Sequence, residues 1–320
     1  MVLVLLILLI IAGFYLLIKG ADFLVRGSSS LAKRLGVSEM AIGLTIVAFG
    51  TSMPELVVNI LSSMEGRNEI VFGNIIGSNI LNLLFILGIA GIIQPLAVKK
   101  SMLFVDVPYS LLAASLLLLL ANDSFMFNSS NDILSRIDGI VLLCFFTIFL
   151  VYMAKTSKDG SRAAKNPAKQ KLSAIIIFLI VGFFGLFIGG KLIVDNSVEI
   201  ARSLGVTEKL IALTIIAAGT SLPELATSAV AAYKKEYDLS IGNIIGSNIF
   251  NIFFILGVSA VINPAAYLGV LNIDLYVLIA GTLFLFGAVY LKKAHKLGRF
   301  ESFVFLIAYF SYFAYLLVRK

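Results

Sequence analysis

Two glutamates carry most of the chemistry in this sequence. Each closes the same pattern, Gly50-Thr51-Ser52-Met53-Pro54-Glu55 and Gly219-Thr220-Ser221-Leu222-Pro223-Glu224. Both lie deep in apolar runs that offer no Lys or Arg at similar depth. A carboxylate at that depth in a membrane is costly, so it marks a functional site by default. The proline before each glutamate removes one backbone donor and frees the carbonyl four residues back, at Gly50 and Gly219. One turn therefore presents backbone carbonyls, Thr and Ser hydroxyls and a carboxylate. Such a break in a buried helix is tolerated where it lines a cavity.

A second pattern is also duplicated. Gly73-Asn74-Ile75-Ile76-Gly77-Ser78-Asn79 with Asn82 recurs as Gly242-Asn243-Ile244-Ile245-Gly246-Ser247-Asn248 with Asn251. Ser78 and Asn82 are four apart, as are Ser247 and Asn251, so each pair shares a helix face that can turn toward a glutamate. Asn74 and Asn243 read as hydrogen-bonding links between helices, and the glycines as points of close helix approach. The donor set is all oxygen, which suits hard cations, above all calcium with roughly six to eight oxygen ligands. Two carboxylates match one divalent ion. The same pocket suits sodium ions, or a proton on each glutamate. Asp106, Asp138 and Asp274 sit near the starts of apolar runs and read as interfacial or capping residues.

The elements that position these groups follow from composition. Of the 320 residues, 60% are hydrophobic and 13% are charged, about half the share of a soluble domain. Ten apolar segments emerge, at about 2–18, 40–63, 70–93, 102–121, 137–154, 172–190, 208–232, 239–262, 271–291 and 300–318. Runs of about 20 such residues read as membrane helices. The first has no charged leader and no small-residue cleavage site, so it reads as a span and not a signal peptide. The lone Cys144 and lone His295 form no disulfide or Cys/His metal site and read as packing and loop residues.

The net charge of +7 does not indicate a nucleic-acid binder, because the basic residues lie in short loops between apolar runs. Of the 25 Lys and Arg residues, 18 fall on one side of a ten-span arrangement. The positive-inside rule makes that side cytoplasmic, with both termini outside a cell (plasma or inner) membrane. The polar stretch 155–171 then forms a central cytoplasmic loop between a first half, 1–154, and a second, 172–320.

The halves are copies. Residues 36–95 align with 205–264 at a constant offset of 169, with no gap and with about half the positions identical. Five spans separate each residue from its twin, an odd number, so the copies face opposite ways across the bilayer. The expected fold is an all-α polytopic membrane protein of ten transmembrane helices, arranged as two inverted five-helix repeats with broken helices in the core. That is a secondary-transporter architecture, with the site near the midplane. A passive channel would place its selectivity ring on an axis normal to the membrane. A hydrolase would need a base or metal beside its nucleophile, and the only histidine is in a loop. No catalytic residue and no cofactor is expected.

The paired GTS-x-PE and GNIIGSNI motifs resemble the alpha repeats of the calcium/cation antiporter superfamily, in particular its prokaryotic sodium/calcium exchanger branch. The resemblance covers essentially the whole chain. It implies a core of four motif helices and two long tilted helices, the first and sixth spans extended through Asp22–Arg34 and Lys191–Arg202, sliding across it. It implies exchange of Ca2+ for Na+, with small cations and the lipid bilayer as partners and a monomer as the working unit. By this resemblance the ion ligands are Ala48, Thr51, Ser52, Glu55, Ser78 and Asn82 in the first copy. In the second they are Ala217, Thr220, Ser221, Glu224, Ser247 and Asn251. Glu55, Glu224, Thr51 and Thr220 would hold calcium, and the serines with the outer carbonyls sodium. Relatives often carry Asp where this chain has Asn251, leaving two carboxylates here instead of three. The family's proton-coupled members usually show Asn where Ser52 and Ser221 stand, so the motif favours sodium over the H+-coupled alternative.

Overall fold

The computed structural model describes residues 2–123, 132–156, 171–205, 217–292 and 295–319. The chain is helical, and its elements are α1 (Val2–Leu35), α2 (Glu39–Thr51), α3 (Met53–Met64), α4 (Asn68–Ile93), α5 (Met102–Leu120) and α6 (Arg136–Thr156). They continue as α7 (Leu172–Ser203), α8 (Leu222–Tyr233), α9 (Tyr237–Ile262), α10 (Gly269–Tyr290) and α11 (Arg299–Val318). Eight of these are long and apolar enough to cross a membrane, and α2 with α3 forms a ninth span bent by 49°. The segment at 208–232 is described from Ala217 onward. Most of the central loop at 155–171 lies outside the described residues, as do Glu208 and Lys209.

Two helices are longer than their apolar runs. The segment at 2–18 belongs to the 34-residue α1, and that at 172–190 to the 32-residue α7. Their second halves mix small and charged residues with apolar ones, so hydropathy fades while the helix continues. Each stops one residue before a glycine of positive φ, Gly36 at 67°, or near one, Gly205 at 79°, where a residue without Cβ carries no steric penalty. At about 1.5 Å per residue, α1 is roughly 50 Å long, so it must tilt to stay within a hydrocarbon layer of about 30 Å.

α1 and α7 lie side by side along a seam of glycines. A Cβ on Gly20 would fall 2.6 Å from the backbone nitrogen of Leu186, and one on Gly189 2.6 Å from that of Leu17. Gly13 and Gly182 are as tightly fitted, against Gly189 O at 2.9 Å and Leu24 N at 2.7 Å. The offset of 169 maps Gly13 onto Gly182 and Gly20 onto Gly189, so the seam is itself two-fold. Small residues of this kind let membrane helices touch backbone to backbone.

The motif helices α2–α4, α8 and α9 form the centre, and α5, α6, α10 and α11 pack around them. α9 is the most enclosed, with 83% of its apolar window buried, against 17% for α1 and α11, whose outer surfaces are apolar and exposed, as lipid contact requires. Short antiparallel pairs tie the connections together. Leu96–Ala97 pairs with Lys296–Leu297, and Ile133–Leu134 with Ala265–Ala266.

The edge acids divide. Asp138 accepts from the backbone N–H and hydroxyl of Ser135, a helix-start arrangement. Asp274 takes a two-pronged ion pair from Arg319 (2.8 and 3.0 Å) and a hydrogen bond from the Tyr312 hydroxyl. Asp106 does not match the interfacial reading. It is fully buried, and among the described residues neither oxygen has a hydrogen-bond partner. The π-helical turn at Met102–Asp106 swings it into the helix packing instead of the membrane surface. Cys144 faces outward, and His295 lies within 3.4 Å of the Val289 carbonyl through Nδ1.

Candidate ion-binding site

Both glutamates stand at breaks in buried helices. At Ser52 the backbone leaves helical geometry (φ −84°, ψ 10°), and α3 restarts at Met53-Pro54-Glu55. Ser221 repeats this at φ −92°, ψ 8°, before Leu222-Pro223-Glu224. Proline is well placed in the first turn of a helix, where its missing N–H costs nothing. Each carboxyl thus sits at the start of a new helix, whose unpaired N–H groups favour negative charge. Glu55 is 1% exposed and Glu224 0%, and among the described residues neither has a Lys or Arg partner.

The contacts between the two copies are crossed. The Ser52 hydroxyl donates to Glu224 Oε1 at 2.9 Å, and the Ser221 hydroxyl to Glu55 Oε1 at 3.0 Å. Each glutamate also has a serine from its own copy, Ser78 to Glu55 Oε1 at 3.4 Å and Ser247 to Glu224 Oε1 at 3.5 Å. Ser221 and Ser78 are 3.3 Å apart. The expected residues Ser52, Glu55, Ser78, Ser221, Glu224 and Ser247 therefore meet in one cluster that neither half builds alone.

Asn82 and Asn251 lie in π-helical turns, Leu81–Ile86 and Phe250–Leu256. A π turn shifts the register of the helix face, and such turns recur at functional sites. Both asparagine side chains use their nitrogens on the opposite copy, to Asn248 Oδ1 at 3.2 Å and Asn79 Oδ1 at 2.9 Å. Thr51 Oγ1 lies 3.1 Å from Val47 O, 3.3 Å from Ala48 O and 3.1 Å from Asn243 Oδ1. The Ala48 carbonyl also accepts from Ser52 N at 3.0 Å. Ala217 begins the short helical turn Ala217–Gly219 before the second break.

What remains is a set of oxygens without hydrogen-bond partners among the described residues. Glu55 Oε2, Glu224 Oε2, Asn82 Oδ1, Asn251 Oδ1 and Thr220 Oγ1 are all buried and unpaired. Four of the five can only accept. Leaving such atoms unpaired is costly, and oxygen acceptors of this kind are the ligands that hard cations take. Among the described residues no group of three or more His, Cys, Asp or Glu could hold a metal, so the cluster has two carboxylates and otherwise neutral oxygens.

An outer layer of side chains surrounds this cluster, and two of its members, Asn59 and Ser228, were not assigned a role from sequence. Asn74 donates to Asn59 Oδ1 (2.6 Å) and reaches Glu55 O (3.3 Å), while Asn59 donates to Val71 O (3.1 Å). In the second copy Asn243 donates to the Ser228 hydroxyl at 3.0 Å. Asn74 and Asn243 do link helices, as expected, and they also brace the glutamate and Thr51. Asn59 and Ser228 are twins at the offset of 169, both polar and both 0% exposed. A polar residue at the same place in both copies of an apolar helix was the signal available.

Comparison with known proteins finds matches over most of the chain. The sodium/calcium exchanger protein family matches residues 5–155 and 174–318. The inner membrane protein YrbG of Escherichia coli K12 is 34% identical over 266 residues, 80% of this chain and 79% of that one. The sodium/calcium exchanger MaX1 of Methanosarcina acetivorans is 31% identical over 342 residues, covering 95% of this chain and 96% of the relative. Among solved structures, the sodium-calcium exchanger NCX_Mj soaked with 2.5 mM Na+ and 10 mM Sr2+ superposes with a TM-score of 0.85 at 32% identity, covering 98% of this chain and 99% of that one.

Proposed function

This chain belongs to the sodium/calcium exchanger family, and from that premise we propose that it is a secondary antiporter moving Ca2+ one way and Na+ the other by alternating access. The observation that carries the reading is the set of five buried, unpaired oxygens shared by the two copies. Ca2+ would take Glu55 and Glu224 with Thr51 and Thr220, whose two carboxylates balance its charge. Na+ would take the serine hydroxyls of Ser52, Ser78, Ser221 and Ser247 and the carbonyls of Ala48 and Ala217. Asn82 and Asn251 add amide oxygens to the same pocket. Because the two ions share the glutamates, occupancy by one opposes the other, which is the requirement for exchange. No covalent chemistry enters this scheme.

The bias of Lys and Arg supports both termini outside and the segment 155–171 in the cytoplasm, joining half-repeats 1–154 and 172–320. A single chain holds both halves of the site, which supports a monomer as the working unit. The test is Ca2+ uptake into proteoliposomes under opposed Na+ and pH gradients. An outward Na+ gradient is expected to drive Ca2+ uptake, and a pH gradient alone is not. Uptake driven by protons alone would replace Na+ as the coupled ion, and uptake under neither gradient would reject exchange.

A further inference from the structure

Asn79 and Asn248 sit where α4 crosses α9, and they are bonded reciprocally. Asn79 Nδ2 donates to the Asn248 backbone carbonyl at 3.1 Å, and Asn248 Nδ2 to the Asn79 carbonyl at 3.2 Å. With the nitrogens committed, each Oδ1 is left as an acceptor, and it receives Asn251 Nδ2 (2.9 Å) or Asn82 Nδ2 (3.2 Å). An amide has one acceptor end and one donor end. Anchoring the nitrogen of Asn82 and Asn251 at the crossing leaves the oxygen free, and those two oxygens are among the unpaired five. A flipped amide would aim N–H groups at a cation.

We propose that Asn79 and Asn248 are positioning residues that fix the amide orientation of Asn251 and Asn82 and so hold their oxygens toward the ion. The proposal rests on the reading of Asn82 and Asn251 as ligands. Asn79→Ala is expected to weaken apparent Ca2+ affinity about tenfold, equivalent to about 1.4 kcal/mol. Adding Asn251→Asp is expected to restore it, because a carboxylate has an oxygen on both branches and no wrong orientation. A merely structural role for Asn79 gives no such rescue. If Asn251→Ala leaves affinity unchanged, the ligand reading fails. If Asn251→Ala is impaired but Asn79→Ala is not, or Asn251→Asp does not rescue, the positioning role fails. Should Asn79→Ala not assemble, Asn248→Ala with Asn82→Asp makes the same test, and failure of both to assemble assigns these residues to folding alone.

A separate observation concerns charge. Asp22, in the second half of α1, pairs with Arg26 (3.1 Å) and with Lys234, just past the end of α8, which also reaches the Asp22 carbonyl at 3.4 Å. The offset of 169 maps Asp22, Arg26 and Lys234 onto Lys191, Asp195 and Glu65. All three signs are reversed, so the twin positions can form the same triad at the opposite end. Here they do not, for Glu65 pairs with its neighbour Arg67 at 2.7 Å. The packing is asymmetric in the same sense: α1 lies along α8, whereas α7 makes only marginal contact with α3.

We infer that the triads Asp22–Arg26–Lys234 and Lys191–Asp195–Glu65 are alternating latches, one closed in each of the two access states of the proposed exchanger. The test uses Asp22→Cys with Lys234→Cys, and Lys191→Cys with Glu65→Cys, each in Cys144→Ser. Exchange by the reduced variants reports on the transport reading itself. On oxidation each pair is expected to cross-link and stop exchange until reductant is added, and the first cross-link is expected to block formation of the second. Exchange continuing through the first cross-link, or no cross-link at the second pair during turnover, would overturn the inference. If the cysteine variants are inactive when reduced, charge reversal decides. Lys234→Asp should impair exchange and Asp22→Lys added to it should restore it, and no restoration rejects the latch.

Discussion

Glu55→Gln and Glu224→Gln, made singly, are each expected to lower Na+-driven Ca2+ uptake by at least about a hundredfold. The amide keeps the size of the side chain and removes one of the two negative charges that balance Ca2+. It also puts an N–H donor in place of a carboxylate oxygen, and in each glutamate Oε2 is buried with no hydrogen-bond partner among the described residues. Loss of a charged ligand in a buried site costs about 3–5 kcal/mol, which exceeds the roughly 2.8 kcal/mol that a hundredfold represents at about 1.4 kcal/mol per decade. The two variants should be nearly equivalent, because the crossed serines give the two carboxyls matching surroundings. Proteoliposome uptake of Ca2+, with detergent gel filtration to verify assembly, makes the measurement. Near-normal uptake by either variant would place the ion elsewhere.

The second large effect is expected at the glycine seam. Gly189→Val places a Cβ 2.6 Å from Leu17 N and 2.7 Å from Gly13 O, and both obstacles are backbone. No rotamer change relieves that, so α1 and α7 must separate along their length. The expected outcome is loss of assembled protein, or a melting temperature lower by several degrees with no Ca2+ uptake, since overpacking of this kind costs about 1–3 kcal/mol or more. Gly190→Val is the control, because its Cβ would meet nothing within 4 Å. A fluorescence-detected thermal melt compares the two directly, and equal stability would show that the seam tolerates separation.

Much of this was legible in the residues. The duplication at a constant offset gave the inverted halves, and two deep glutamates after prolines, with no basic residue at their depth, gave the centre of the candidate site. These features are local and are repeated, so the sequence contains each of them twice. The lengths of α1 and α7 came from the family resemblance, whose extensions through Arg34 and Arg202 the structure matches, and not from hydropathy, which marks where a helix meets lipid and not where it ends. Asp106 was misread for a related reason: proximity to the end of an apolar run does not say which way a π turn points a side chain. The roles of Asn79 and Asn248 depend on a crossing between α4 and α9 separated by 169 residues, and no spacing rule within one helix predicts which amide end meets which.

The crossed hydrogen bonds have a consequence for assembly. Because Ser52 serves Glu224 and Ser221 serves Glu55, either half folded by itself would leave its buried acid with only the longer contact from its own copy's serine. A cation seated there acts as a rivet between the halves, and any ligand that favours the joined form stabilises it by mass action. If the gene were divided in the 155–171 stretch and both pieces were co-produced, calcium would hold the pieces together, and chelation would loosen them.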